Sequence, residues 1–163
     1  MTKHARTRKP RWTDEDARFD VANRLFFRLY QASNLMHKTG SRAVSAYGTT
    51  TQQWAVLGAL SRPVTVEQGM TVKEMIKFLG VSRQNLTAVL NRLEKSGLVE
   101  RTRIVEDGRI RRIRLTKKGA ETWANMLVNI RSYYEAALAD FTIEESTQLY
   151  RLLDRLRISL SRL

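Results

Sequence analysis

The sequence predicts a mainly α-helical fold that carries one small β-hairpin, and three observations predict it. Apolar residues recur at helical spacing over most of the 163 residues. Thr50, Thr71 and Thr142 are each followed three residues later by Gln53, Glu74 and Glu145, the reciprocal pairing that starts a helix. Between Leu98 and Leu115 the helical period gives way to loose alternation around Asp107-Gly108, a strong hairpin turn signal.

Composition narrows what such a fold does. The chain holds 29 Lys+Arg against 16 Asp+Glu, a formal charge of +13, which favours polyanionic partners such as nucleic acid or an anionic membrane surface. No apolar run approaches the roughly 20 residues that span a bilayer, and the N-terminus lacks the apolar core of a secretory signal. Nucleic acid is therefore the expected partner, no membrane partner is expected, and the cytoplasm is the expected location. Without cysteine there are no disulfides, zinc ribbons or thiol sensors. His4 and His37 have no carboxylate cluster around them, so neither a metal nor another cofactor is expected. Glu144 and Glu145 are adjacent acids, but acids in a first helical turn are explained by the helix dipole, so catalysis is not expected.

Taken in order, residues 1–12 read as a basic flexible arm, one that touches phosphate, embraces a partner, or merely solubilises. Thr13 followed by Asp14, Glu15 and Asp16 starts a helix. Val21, Leu25, Leu29, Ala32 and Met36 carry that helix to about Ala46, with Gly40 weakening its last third. Phe19, Phe26, Phe27, Tyr30 and Leu35 add a second apolar side, for which a second subunit is a natural cover. Thr50 opens a second helix, which ends before Pro63. Thr71 opens a short third, with Val72, Met75, Ile76 and Leu79 facing inward. Gly80 permits a left-handed turn residue and Ser82 can cap the next helix, which is the spacing of a helix-turn-helix.

In that next helix Leu86, Val89, Leu90 and Leu93 lie inward. At about 100° per residue, Gln84, Ala88 and Asn91 face outward, flanked by Arg83, Asn85 and Thr87. A merely solvated face carries Glu and Lys; this one is uncharged apart from Arg83. Amides bond adenine edges, arginine bonds guanine, and a Thr methyl touches a thymine methyl, so the stripe suits base reading. Gly97 ends the helix, and six arginines, Arg101, Arg103, Arg109, Arg111, Arg112 and Arg114, follow on the hairpin. So many like charges repel unless something anionic lies alongside, and an arginine at a hairpin tip suits a narrow minor groove.

The segment SRQNLTAVLNRLEKSGLVERTRIVEDGRIRRIRLTKKGAE, Ser82 to Glu121, resembles the winged helix-turn-helix core of the MarR family of bacterial transcription regulators. Three motifs carry the resemblance: NRLEKSGLVER, Asp107-Gly108-Arg109 set against the family's D-x-R wing motif, and LTKKG. Many members have a proline-containing loop where this chain has EDG, which leaves the wing's length open. The resemblance implies a single domain over 13–163, with dimerisation helices at 13–46 and 117–163 flanking a winged lobe at 50–116. It implies that Arg109 enters the minor groove and that Asp107 orients it. The DNA-contacting candidates are Ser82, Arg83, Gln84, Asn85, Thr87, Asn91, Asp107, Arg109 and Arg111.

Beyond the hairpin, Thr116 caps a helix to about Ala139, and Thr142 opens a last one with a stripe of Leu149, Leu152, Leu153, Leu156, Leu160 and Leu163. By the resemblance, the first helix and the last two intertwine with a second copy, and a small aromatic carboxylate or phenolic effector is the expected input. Phe27, Tyr30, His37 and Trp54 are its candidate contacts, with core or interface packing as the plain alternative for each. The function expected is a homodimeric repressor on a pseudo-palindromic operator in double-stranded DNA. A constitutive architectural DNA-binding protein and an RNA-binding module are the alternatives.

Overall fold

The computed structural model describes residues 13–103 and 111–163. Its elements run α1 (Asp14–Ala43), a 3-10 turn (Ser45–Tyr47), α2 (Thr51–Leu60), α3 (Val72–Leu79), α4 (Arg83–Lys95), β1 (Val99–Arg103), β2 (Arg111–Leu115), α5 (Lys117–Ala137) and α6 (Ile143–Leu160). The mainly α fold with a two-stranded antiparallel hairpin is the one the sequence predicts. The chain divides into two compact units between Thr39 and Gly40.

In the first unit, α1 starts on a capping box in which aspartate replaces the usual glutamate. The Thr13 N–H and hydroxyl both donate to Asp16 Oδ2, at 2.9 and 2.7 Å, and the Asp16 N–H donates back to Thr13 Oγ1 at 3.1 Å. The two bonds that the carboxylate accepts, the backbone one first, hold the Asp16 pKa below its ordinary value. Along the helix Phe19, Val21, Leu25, Phe26, Phe27, Tyr30, Leu35 and Met36 are exposed.

The second unit begins at Gly40, where α1 persists for one more turn. A Cβ on the buried Gly40 would lie 2.8 Å from Thr51 Cγ2 and 3.3 Å from Trp54 Cζ3, so the missing side chain is what lets α2 approach. The expected run to Ala46 stops at Ala43, and the 3-10 turn closes on Gly48 at φ 63°, a left-handed value suited to glycine. The reciprocal capping boxes of Thr50 with Gln53, Thr71 with Glu74, and Thr142 with Glu145 are all formed. They arise from adjacent chemistry and need no tertiary help.

One apolar cluster joins Val56, Leu57 and Leu60 of α2, Met75 of α3, Leu86, Leu90 and Leu93 of α4, Val99 and Ile113 of the hairpin, and Met126 and Ile130 of α5. The strands pair from Val99↔Leu115 to Arg103↔Arg111. On the other side of β2, Met70 forms a rung with Ile113, exchanging N–H···O bonds of 2.9 and 2.8 Å. Gly69 makes that rung possible: it sits at φ 68°, and a Cβ there would lie 2.5 Å from the Ile113 carbonyl oxygen.

The end of α4 is tied to the start of α5 by short contacts. Thr116 donates its N–H to Leu98 O at 3.1 Å and its hydroxyl to Gly97 O at 2.6 Å, while Lys118 Nζ donates to Ser96 O at 2.9 Å. Gly119 lies so close that a Cβ would collide with the Leu98 carbonyl. On α6, by contrast, Leu149, Tyr150, Leu152, Leu153, Ile158 and Leu160 are exposed, as are Val128 and Leu138 of the preceding helix and its end.

Gly119→Ala is a test of the α4–α5 join. In an open helix the exchange stabilises by about 0.5–1 kcal/mol, but here the backbones must separate, so a loss of about 1–3 kcal/mol is expected in urea or thermal unfolding. A gain in stability would show that the contact is loose.

Candidate nucleic-acid interface

The α4 helix is held by one side and offers the other. Leu86, Leu90 and Leu93 are no more than 1% exposed and Val89 is buried beside them. Arg83, Gln84, Asn85, Thr87, Ala88 and Asn91 are all exposed, as the helical period predicts. Ser82 caps the helix, its Oγ accepting from the Asn85 N–H at 3.2 Å. With no acid in the first turn, the partial positive charge of the helix start is left uncompensated, which favours a nearby anion. Thr87 donates its hydroxyl to the Arg83 carbonyl at 2.8 Å, so its methyl is the chemistry left for outward contact.

The hairpin sorts its arginines. Register and alternation put Val99, Arg101, Ile113 and Leu115 on one face. There Arg101 Nε meets Glu94 Oε1 at 2.9 Å and Nη2 donates to Asn91 Oδ1 at 3.3 Å. On the other face Arg112 Nη1 donates to Gly69 O at 2.9 Å and to Glu74 Oε2 at 3.2 Å, and Nη2 donates to Glu74 Oε1 at 3.4 Å. Glu74 Oε2 also accepts the Thr71 N–H at 2.7 Å, so one carboxylate both caps α3 and anchors β2. Arg111 and Arg114 are exposed. Asp107 and Arg109, with the turn between the strands, lie outside the described residues, as does the basic arm over 1–12.

By sequence alone the six hairpin arginines are like charges that call for an external anion. For Arg101 and Arg112 the anion is internal. The signal for Arg101 was present: alternation from Val99 turns it toward α4, where an arginine needs an acid, and Glu94 is near the end of that helix.

Residues 47–110 match the MarR family. A transcriptional activatory protein, BadR, of Rhodopseudomonas palustris is 49% identical over 147 residues, covering 87% of this chain and 83% of the relative. The chain belongs to the MarR family. Its members are transcription regulators and not enzymes, and α3, α4 and the hairpin are the DNA-binding winged helix-turn-helix of this MarR regulator. A homoprotocatechuate degradative operon repressor of Escherichia coli is 31% identical, covering 68% of this chain and 72% of the relative. The organohalide-sensing regulator RdhR, in its 2,4-dichlorophenol-bound form, shares the fold at a TM-score of 0.74 and 20% identity, covering 96% of this chain and 89% of that one.

A second cluster lies away from α4. Trp54 is half-buried, with its ring 6.3 Å from Tyr133 and 5.8 Å from Tyr134, and the two tyrosines are 6.1 Å apart. Partial burial, with Tyr133 adding, raises the Tyr134 phenol above its ordinary value. The sequence offers Trp54 as a candidate contact but neither Tyr133 nor Tyr134, because their meeting with Trp54 depends on how α2 and α5 cross. Of the other effector candidates, Phe27, Tyr30 and His37 are exposed on α1. Among the described residues no helix is long and apolar enough to cross a membrane, and no group of three His, Cys, Asp or Glu could hold a metal ion.

The sorting of arginines has a measurable consequence. Each phosphate contact adds about 0.9 to the slope of log affinity against log salt on duplex DNA. Arg114→Gln should reduce that slope, whereas Arg112→Gln should leave it unchanged and lower thermal stability instead. An equal reduction for Arg112→Gln would place that residue on phosphate.

Proposed function

We propose that this MarR regulator is a homodimeric repressor that occupies a pseudo-palindromic operator and is released by a small aromatic carboxylate or phenolic effector. The observation that carries the DNA reading is the exposed, nearly uncharged stripe of α4 opposite its buried leucines. In it Gln84 and Asn91 face adenine edges, Arg83 a guanine, and Thr87 a thymine methyl, with Asn85 alongside and Ser82 setting the helix start. Arg109 enters the minor groove with Asp107 orienting it, and Arg111 follows the backbone. The uncovered apolar side chains of α1 and of α6 support a second copy as partner. A two-fold dimer places its two reading helices in successive major grooves, about one helical turn apart.

For the effector, Trp54, Tyr133 and Tyr134 supply aromatic walls with phenolic groups that can orient a ligand. Phe27, Tyr30 and His37 are the further candidates on α1. The dichlorophenol bound by RdhR and the aromatic-acid operon named for the E. coli repressor favour this ligand class. Release requires that the effector prefer a DNA-incompetent arrangement. The activatory name of the R. palustris relative favours a second reading, in which the occupied operator raises transcription. A promoter fusion with and without the regulator gives the sign.

Footprinting on the regulator's own upstream region supplies an operator, and binding at matched salt to that operator, random duplex and structured RNA separates a specific regulator from an architectural or RNA-binding protein. On the operator, Asn91→Ala should relax one base position by about 1–3 kcal/mol, while Arg109→Ala weakens binding with less effect on major-groove preference. Equal weakening of all sequences by both variants overturns the assignment of reader and wing. Titrated aromatic acids should lower operator affinity, and an acid that binds the protein while leaving that affinity unchanged counts against release.

A further inference from the structure

The contact between Asn91 and Arg101 supports an inference that rests on the reading of α4 as the base-reading helix. A guanidinium has N–H donors and no acceptor. The Asn91 atom that meets it at 3.3 Å is therefore the carbonyl oxygen, on chemical grounds as well as geometric ones. Arg101 is itself fixed, since its Nε lies 2.9 Å from Glu94 Oε1 with both side chains 31% exposed. Its strand neighbours on the same face, Val99 and Ile113, are buried at 3% and 1%. The links run in series: a carboxylate holds a guanidinium, and the guanidinium holds an amide oxygen.

We propose that Arg101 is a specificity-determining residue of the reader: it fixes the Asn91 amide so that the Nδ2 group is the end offered to the base, with Glu94 positioning Arg101 in turn. An unconstrained asparagine presents either its donor or its acceptor and so tolerates more base edges. Held this way, Asn91 favours an acceptor edge, a purine N7, a guanine O6 or a thymine O4, and disfavours the cytosine amino group, which is itself a donor. Arg101 thus shapes sequence preference without touching a base.

The test uses the full chain and its footprinted operator, carrying each of the four bases at the position that Asn91→Ala relaxes. Wild type should prefer an acceptor-bearing base over cytosine. Arg101→Met should lower that preference by about fivefold or more, with a smaller fall in affinity for random duplex, and Arg101→Lys, which keeps a charged donor, should restore part of it. Glu94→Gln gives a second, opposed signature: preference falls while affinity for random duplex rises, because a negative charge has gone. It also keeps the test decisive if Arg101→Met unfolds. If Arg101→Met weakens all four operators equally and lowers the salt slope by about one phosphate contact, Arg101 is a backbone contact and the inference is wrong. If Asn91→Ala relaxes a position that Arg101→Met and Glu94→Gln leave untouched, only this inference fails. If Asn91→Ala relaxes no position, the reading of α4 fails with it.

Discussion

One-sided burial of α4, the second helix of the helix-turn-helix, is the constraint on which the rest of this structure depends. Leu86, Leu90 and Leu93 are essentially removed from water, and each such side chain contributes about 1.5–3 kcal/mol of burial. The walls that receive them come from α2, α3 and the hairpin. Because these three leucines, with Val89 buried beside them, satisfy the packing, the outward positions are not needed for the core. On the function proposed above, their amides and the Arg83 guanidinium can then be chosen to suit the groove.

Charge is arranged by the same economy. A net +13 spread evenly would draw the protein to any polyanion. Instead Glu74 and Glu94 each engage one hairpin arginine, and both carboxylates belong to the helix-turn-helix pair. The wing is thereby fastened to α3 through Arg112 and to α4 through Arg101, while Arg111 and Arg114 stay exposed. The arginines of one hairpin are thus divided between those that fasten it to the helices and those that stay exposed.

What was legible in the sequence was local. Thr71 with Glu74 and Thr142 with Glu145 mark helix starts because the partners are three residues apart and bond within one turn. The inward and outward faces of α4 follow from its period alone. The end of α1 was overrun because Gly40, a poor helix former, is retained for the approach of Thr51 and Trp54, and the stop comes from the turn that closes on Gly48. The Met70–Ile113 rung was invisible, since a single paired residue has no alternation to betray it. The tie of Arg112 to Gly69 and Glu74 required strand register, which residue counting does not provide. The meeting of Trp54 with Tyr133 and Tyr134 required the crossing of two helices distant in sequence.

The contacts of Thr116, Lys118 and Gly119 with the segment from Ser96 to Leu98 bind the end of α4 closely to the start of α5. Further along, Trp123 fills the space above Gly58 of α2, and Tyr133 lies against Trp54. At about 1.5 Å per residue, the α5 helix, 21 residues long, is a rigid bar roughly 30 Å in length. Seated on α2 both at Trp123 and at Tyr133, such a bar ties the position of its aromatic end to that of its first turn, and through that turn to the end of α4.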